Sequence, residues 1–318
     1  MQLPTFDDVL DAAARIAPHA HVTPVLHARS IDALAGCSLH FKAEHLQRVG
    51  AFKFRGACNA VWALEDADAA RGVVTHSSGN HGAALALAAL SRGIPCHVVT
   101  PANAVPAKLA AIAGYGAALH RCEATLAARE AACDTLQRHT GATLVHPYED
   151  ARVIAGQGTA VLELLATSGP LDTVVVPVGG GGLAAGTAIA LAGRAPGTRL
   201  VLAEPAGADD AARSLATGQR VTDVVPDTVC DGLRAGIGRP NFRILQAAGV
   251  EVVTVGDDAV VAAMRLVWQR MKQLIEPSAA VALAAVLASP QRFAGQRVGV
   301  ILSGGNADLA SLVRAGRA

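Results

Sequence analysis

The feature that most restricts the fold of this chain is a rhythm. Short runs rich in β-branched residues recur along it: SLHFKAE at 38–44, GVVTH at 72–76, HVVTP at 97–101, TLVHP at 143–147, TVVVPVG at 173–179, RLVLAE at 199–204, EVVTV at 251–255 and RVGVILS at 297–303. Between most of them lies a helix-length segment rich in Ala and Leu. Strands that alternate with helices build βαβ units, which give a mostly parallel, buried sheet and not a barrel of hairpins. The composition agrees. The chain is 52% hydrophobic but only 3% aromatic, so Ala, Val, Leu and Gly carry the packing, which suits helices laid closely on a sheet. At 318 residues the chain exceeds one typical domain, and two lobes in one compact body are expected. No linker, low-complexity tract or repeat marks a boundary between them.

Several classes of function fall away at once. With a formal net charge of +1, no block of Lys and Arg and almost no Trp or Tyr, the chain is suited neither to neutralising a duplex nor to stacking on single strands. The opening MQLPTFDDVLDAAARIAP reads as an amphipathic helix capped by Thr5 and not as an export signal. Apolar runs such as 83–90 are too short to span a bilayer. Cys37, Cys58, Cys96, Cys122, Cys133 and Cys230 are scattered without metal-finger or C-x-x-C spacing, as befits reduced thiols in a cytoplasm. A cytoplasmic protein with no nucleic-acid or membrane partner is expected.

In open α/β sheets ligands sit beyond the carboxyl ends of the strands, and four such positions carry unusual residues. Gly179, Gly180, Gly181 and Gly182 follow TVVVPV and precede a helical stretch. Successive glycines leave backbone N–H groups free to curl round an anion at a helix N-terminus, where a phosphate is the natural guest. No Gly-Lys-Ser/Thr follows, which excludes a P-loop, whereas Gly180-x-Gly182-x-x-Ala185 with Glu204 beyond it also fits a nicotinamide dehydrogenase. The loop alone leaves both readings open. Lys53, one of four lysines in the chain, stands between Phe52 and Phe54. Apolar surroundings favour a neutral amine, as a Schiff-base lysine requires, although a lysine lying along apolar surface is the ordinary alternative. Ser77, Ser78, Gly79, Asn80, His81 and Gly82 stand between GVVTH and a helix opening near residue 83, where small polar residues offer N–H donors to a carboxylate. Ser303, Gly304, Gly305 and Asn306 end the last strand, with a serine hydroxyl that could face a ring nitrogen.

Together with HVTPVL, GAFKFRGA, VIAGQGT, DGLR and EPSAA, in this order along nearly the whole chain, these segments strongly resemble the fold-type II pyridoxal-phosphate enzymes. The resemblance is to the branch of serine racemases and serine/threonine dehydratases. It implies a tryptophan synthase β-like α/β fold of two lobes, each a mostly parallel twisted sheet flanked by helices. Residues 1–71 and 150–318 would form the large cofactor-binding lobe, and 72–149 a small lobe that closes over the substrate. By the same resemblance Lys53 is the Schiff-base lysine, Phe52 packs beneath the cofactor ring and Asn80 bonds its 3-hydroxyl. Gly179, Gly180, Gly181, Gly182 and Leu183 would hold its phosphate, and Ser303 would face its pyridine nitrogen. Ser77, Ser78, Gly79, Asn80 and His81 would grip the substrate carboxylate, Arg129 would order around a dicarboxylate, and Ser78 would exchange a proton with Cα opposite the lysine.

Glu204, the Ala208 carbonyl and Asp210 resemble the family's divalent-metal loop, an oxygen-only set suited to Mg²⁺, Mn²⁺ or Ca²⁺; a helix start at Asp209 and Asp210 is the plainer reading. Three departures bear on specificity: Ala83 stands where animal racemases have a glutamine that touches ATP, Ala235 replaces a serine, and Tyr148 replaces an asparagine. The resemblance implies dehydration of L-serine, L-threonine or a related β-hydroxy amino acid to a 2-oxo acid and ammonia. Serine racemisation and L-threo-3-hydroxyaspartate dehydration are the near alternatives, a nicotinamide dehydrogenase the distant one, and a homodimer the expected assembly.

Overall fold

In the computed structural model, which describes residues 2–307, the strands form two sheets. The larger contains β1 (Val25–Leu26), β2 (Ser38–Lys42), β7 (Thr173–Pro177), β8 (Arg199–Pro205), β9 (Glu251–Val255) and β10 (Arg297–Ile301), in the order β1-β2-β10-β7-β8-β9. All its pairs are parallel except β1 with β2. The smaller contains β3 (Val73–His76), β4 (Cys96–Pro101), β5 (Ala118–Cys122) and β6 (Thr143–Leu144), in the parallel order β5-β4-β3-β6. Each of the eight runs expected to be strands is one. The two strands not expected, β1 and β5, are both edges. The first is two residues long, and the sequence of the second, ALHRC, with no buried residue, has neither the apolar run nor the alternation that marks a buried strand.

The helices are α1 (Phe6–Ile16), α2 (Arg29–Ala35), α3 (Lys53–Trp62), α4 (Asp66–Ala69), α5 (Asn80–Arg92), α6 (Pro106–Gly114) and α7 (Leu126–Thr140). They continue with α8 (Ala151–Ser168), α9 (Gly182–Arg194), α10 (Asp210–Thr217), α11 (Arg239–Ala247), α12 (Asp257–Met271) and α13 (Pro277–Ala288). Thr5 caps α1 as expected: its Oγ1 accepts from the Asp8 N–H at 3.3 Å while the Asp8 carboxylate accepts from the Thr5 N–H at 2.7 Å, a reciprocal capping box.

Alternate residues of the large sheet feed two cores. Phe41, Val175, Val201 and Val300 pack with α2, α12 and α13, and Val174, Val176, Leu202 and Ile301 pack with α1, α8 and α9. Burial on both faces explains why these strands read as apolar runs. The central helix is α8. A Cβ on its Gly156 would come within 2.7 Å of Gly56 Cα in α3, and one on Gly158 within 2.6 Å of the Gly186 carbonyl in α9. Only small residues permit such close helix crossings, so the Ala- and Gly-rich composition is spent here. No helix among the described residues is long and apolar enough to cross a membrane.

Candidate active site

Strands β2, β10 and β7 are neighbours in the large sheet, so the segments leaving their carboxyl ends come together although they lie far apart in the chain. Ala51 bridges Gly304, and the Phe52 N–H donates to the Ser303 carbonyl at 3.0 Å. This seats the first turn of α3, with Lys53 as its first residue, against the end of β10. The Lys53 Nζ donates to the Pro147 carbonyl at 2.9 Å and lies 5.2 Å from the centre of the Phe52 ring. Lys53 is half-buried. Desolvation around its amine pulls the pKa down to about 8, with the Glu276 carboxylate opposing part of the shift. Of the two phenylalanines that flank it in sequence, only Phe52 is near the amine. Phe54 is buried in the core beneath the small sheet, because consecutive helical residues point about 100° apart.

The four glycines form a cradle against Tyr148, Leu233 and Asn241. A Cβ on Gly180 would lie 2.4 Å from the Tyr148 ring, and Gly181 has a φ of 86°, which only glycine adopts freely. The Asn241 amide pins the turn by donating to the Gly180 carbonyl at 2.6 Å and the Tyr148 carbonyl at 2.8 Å. Helix α9 then starts at Gly182 with no side-chain cap. Its first-turn N–H groups are therefore open to an anion. The Leu183 side chain joins the core, and Ser303 is buried at the end of β10.

The small sheet supplies the opposite wall. Ser77, Ser78 and Gly79 form the bend after β3, where Ser77 Oγ accepts from the Gly79 N–H at 3.4 Å. Helix α5 opens at Asn80, earlier than expected, so Asn80 and His81 are helical residues. The reason is Gly82: a Cβ there would sit 2.1 Å from the Ser77 carbonyl, and its absence lets the helix begin hard against the strand. His81 turns inward, its Nε2 3.2 Å from the Val145 carbonyl and its Nδ1 unpartnered. The His146 ring stands edge-on to both His76 and Tyr148, at centroid distances of 5.0 and 4.7 Å. The His146 Nδ1 accepts from the Glu149 N–H at 3.0 Å, and burial brings its pKa down to about 3, so it stays neutral. Arg129, half-buried on α7, is close enough to influence the charge state of His76 and Tyr148.

Two residues without an expected role stand at the meeting of the sheets. Glu276, 4% exposed, accepts from Asn80 Nδ2 at 3.1 and 3.3 Å and from the Asn306 N–H at 3.1 Å. Burial raises its pKa to about 7, with Asp231 adding to the effect. In sequence Glu276 precedes Pro277 at the start of α13 and looks like an ordinary helix-opening acid. Asn306 looks like a turn residue. No local signal separates either from that use.

Glu204, Ala208 and Asp210 form a separate group at the end of β8. The Glu204 carboxylate is fully buried and accepts from the Ala211 and Ala212 N–H groups at 2.9 and 2.8 Å; Asp210 opens α10 and accepts from the Ile237 N–H at 2.7 Å. Burial, with Asp210 and Asp209 nearby, pushes Glu204 up to about 8. Among the described residues no group of three or more His, Cys, Asp or Glu side chains gathers as metal ligands would.

A sequence model of the family described as pyridoxal-phosphate dependent enzyme matches residues 16–304. Over 98% of its length the chain is 46% identical to a β-hydroxyaspartate dehydratase of Paracoccus denitrificans, covering 99% of that protein. It is also 46% identical to the serine racemase of Dictyostelium discoideum, over 97% of this chain and 96% of that one. The solved structure of maize serine racemase superposes with a TM-score of 0.94 at 42% identity, over 99% of this chain and 97% of the other.

Proposed function

Because the chain belongs to the pyridoxal-phosphate dependent enzymes, we propose that it dehydrates a small β-hydroxy amino acid such as L-serine or L-threonine to a 2-oxo acid and ammonia. The observation that carries this reading is the Lys53 amine, tuned to about pH 8 and set at the ends of neighbouring strands beside an uncapped glycine turn. The residues fit the cofactor. Lys53 would bond its aldehyde carbon, Phe52 would lie under the ring, and Asn80 would face the phenolic oxygen. The N–H groups of Gly179, Gly180, Gly181, Gly182 and Leu183 would take the phosphate, and Ser303 would face the ring nitrogen. When bound, the cofactor supplies a conjugated ring that accepts the electrons released at Cα.

With its pKa lowered to about 8, the Lys53 amine would be neutral in a fraction of molecules near neutral pH and would serve as the base that takes the Cα proton. Ser303 would present the ring nitrogen with a hydroxyl and not a charged acid, and Lys53, having taken the Cα proton, would carry the proton with which the β-hydroxyl leaves as water. Ser77, Ser78, Gly79 and Asn80 would hold the substrate carboxylate, with His81 supporting α5 from below. Residues 72–149 would act as a smaller lobe whose approach excludes water. In the same proposal Glu204, Asp210 and the Ala208 carbonyl would hold Mg²⁺, Mn²⁺ or Ca²⁺, a reading supported by two buried carboxylates near one another at the end of β8. A homodimer in the cytoplasm completes the reading.

A second reading, a substrate with a β-carboxylate, is favoured by Arg129 near Tyr148 and His76 and by the hydroxyaspartate dehydratase relative. One experiment tests both: release of 2-oxo acid from L-serine, D-serine, L-threonine and L-threo-3-hydroxyaspartate, with and without Mg²⁺. Turnover of the first three supports the primary reading and dominance of the last the second; no 2-oxo acid from any of them overturns both.

A further inference from the structure

We propose that Glu276 is a positioning residue that, with Asn306, fixes the side-chain amide of Asn80 so that its N–H, and not its carbonyl oxygen, is turned to the phenolic oxygen of bound pyridoxal phosphate. The inference rests on the cofactor reading above and deepens it, since neither Glu276 nor Asn306 has a part there. An asparagine amide has a donor end and an acceptor end of nearly equal size, so only its partners decide which way it faces.

Both ends of the Asn80 amide are assigned by partners that are themselves fixed. Its Nδ2 donates to the Glu276 carboxylate, 3.1 Å from Oε1 and 3.3 Å from Oε2, and above pH 7, where that carboxyl is mostly ionised, it only accepts. Its Oδ1 accepts from Asn306 Nδ2 at 2.9 Å. Asn306 in turn is oriented by the Val49 carbonyl, which accepts from the same nitrogen at 2.7 Å. A flipped Asn80 would set oxygen against carboxylate and NH₂ against NH₂, losing both bonds. In the arrangement observed, one hydrogen of Nδ2 meets Glu276 and the other remains for an acceptor beyond the chain.

The carboxylate has little freedom to follow a wrong partner. It accepts from the Asn306 N–H at 3.1 Å, and it lies so close over Gly304 that a Cβ there would come within 2.6 Å of Oε1. Val49 holds a φ of 56°, which is costly for a β-branched residue. Asn306 therefore bonds to a strained turn that leads directly into Lys53, and the same side chain registers that turn against Asn80.

The test is a double-mutant cycle of Glu276→Gln and Asn80→Ala, read on the dissociation constant of pyridoxal phosphate from the stripped protein and on its visible absorbance. A glutamine places an NH₂ where one carboxylate oxygen accepts, which turns Asn80 or leaves it unpaired. Glu276→Gln alone is expected to weaken cofactor binding on the order of tenfold, the worth of one hydrogen bond to a charged group. The visible band is expected to lose intensity to the shorter wavelength of an un-ionised phenol. In the Asn80→Ala background the same change is expected to alter the dissociation constant by no more than about twofold. Should Glu276→Gln not fold, the exposed Asn306→Ala is expected to move both readouts in the same direction. Equal effects of Glu276→Gln in both backgrounds, or a cofactor affinity and spectrum like the parent's, would overturn the inference while leaving the cofactor reading in place. A parent protein that takes up no pyridoxal phosphate would overturn both.

Discussion

The Lys53 Nζ is held beside a ring face and a single backbone carbonyl, where desolvation lowers its pKa. Because the folded chain lowers its pKa from 10.5 to about 8, folding favours the neutral amine. The stability this group permits is therefore full above the unfolded value, and is lost as pH falls through the folded one. The reactivity proposed for the amine follows its neutral fraction and runs in the same direction, rising with pH. Uptake of pyridoxal phosphate by the stripped protein is expected to reach half its maximal rate near pH 8; an inflection at the ordinary lysine value would show that the amine is not tuned by the site. Ser78 makes a second, independent case. Inversion at Cα needs a proton donor on the face away from Lys53, whereas elimination does not. Ser78→Ala is expected to depress any serine racemisation on the order of a hundredfold while L-serine dehydration changes far less. Equal losses would mean that Ser78 only shapes the carboxylate loop.

Helix α3 carries Lys53 and is anchored two residues on by Arg55, fully buried. Its guanidinium donates to Glu44 at 2.7 and 2.8 Å and to Glu163 at 2.7 Å through each of two nitrogens, while Lys42, also fully buried, pairs with Glu163. This cluster joins the end of β2 to α3 and α8, the elements that set the height of the lysine in the site. Arg55→Met would leave two carboxylates sharing one lysine. It is expected to destabilise the protein by about 3–5 kcal/mol, as breaking a buried ion pair does, measured by chemical denaturation. A loss under about 1 kcal/mol would show that the cluster is held no more firmly than a surface pair. In sequence Arg55 is simply the arginine after Phe54. Its burial follows from Gly56 and Gly156, which bring α3 and α8 too close for it to reach water.

Across the whole molecule Asn80 on α5 reaches Glu276 ahead of α13, and Lys108 on α6 pairs with Asp231, so helices of the small sheet are joined to the side of the large one. A divalent cation at Glu204 and Asp210 would act on the large sheet alone. Mg²⁺ at a hundredfold excess over its dissociation constant is expected to stabilise the fold by about 2.7 kcal/mol. Chelation is expected to reverse the gain, and Asp210→Ala to abolish the response without changing the visible absorbance of the bound cofactor. An unchanged melting temperature with EDTA and with added Mg²⁺ would reduce this segment to a helix start. By itself the sequence determined the strands and the glycine turn, because these depend on backbone preferences and side chains within a few residues of each other; of the surroundings of Lys53 it indicated only Phe52, since the Pro147 carbonyl lies 94 residues away. The order β2-β10-β7 was decided only by tertiary structure. That order does not follow the chain, yet it sets positions 53, 303 and 179–183 side by side. Tertiary structure alone also gave Glu276 and Asn306 their place: their chemistry lies in what faces them, and Asn80 reaches Glu276 across 196 residues, a separation no local pattern records.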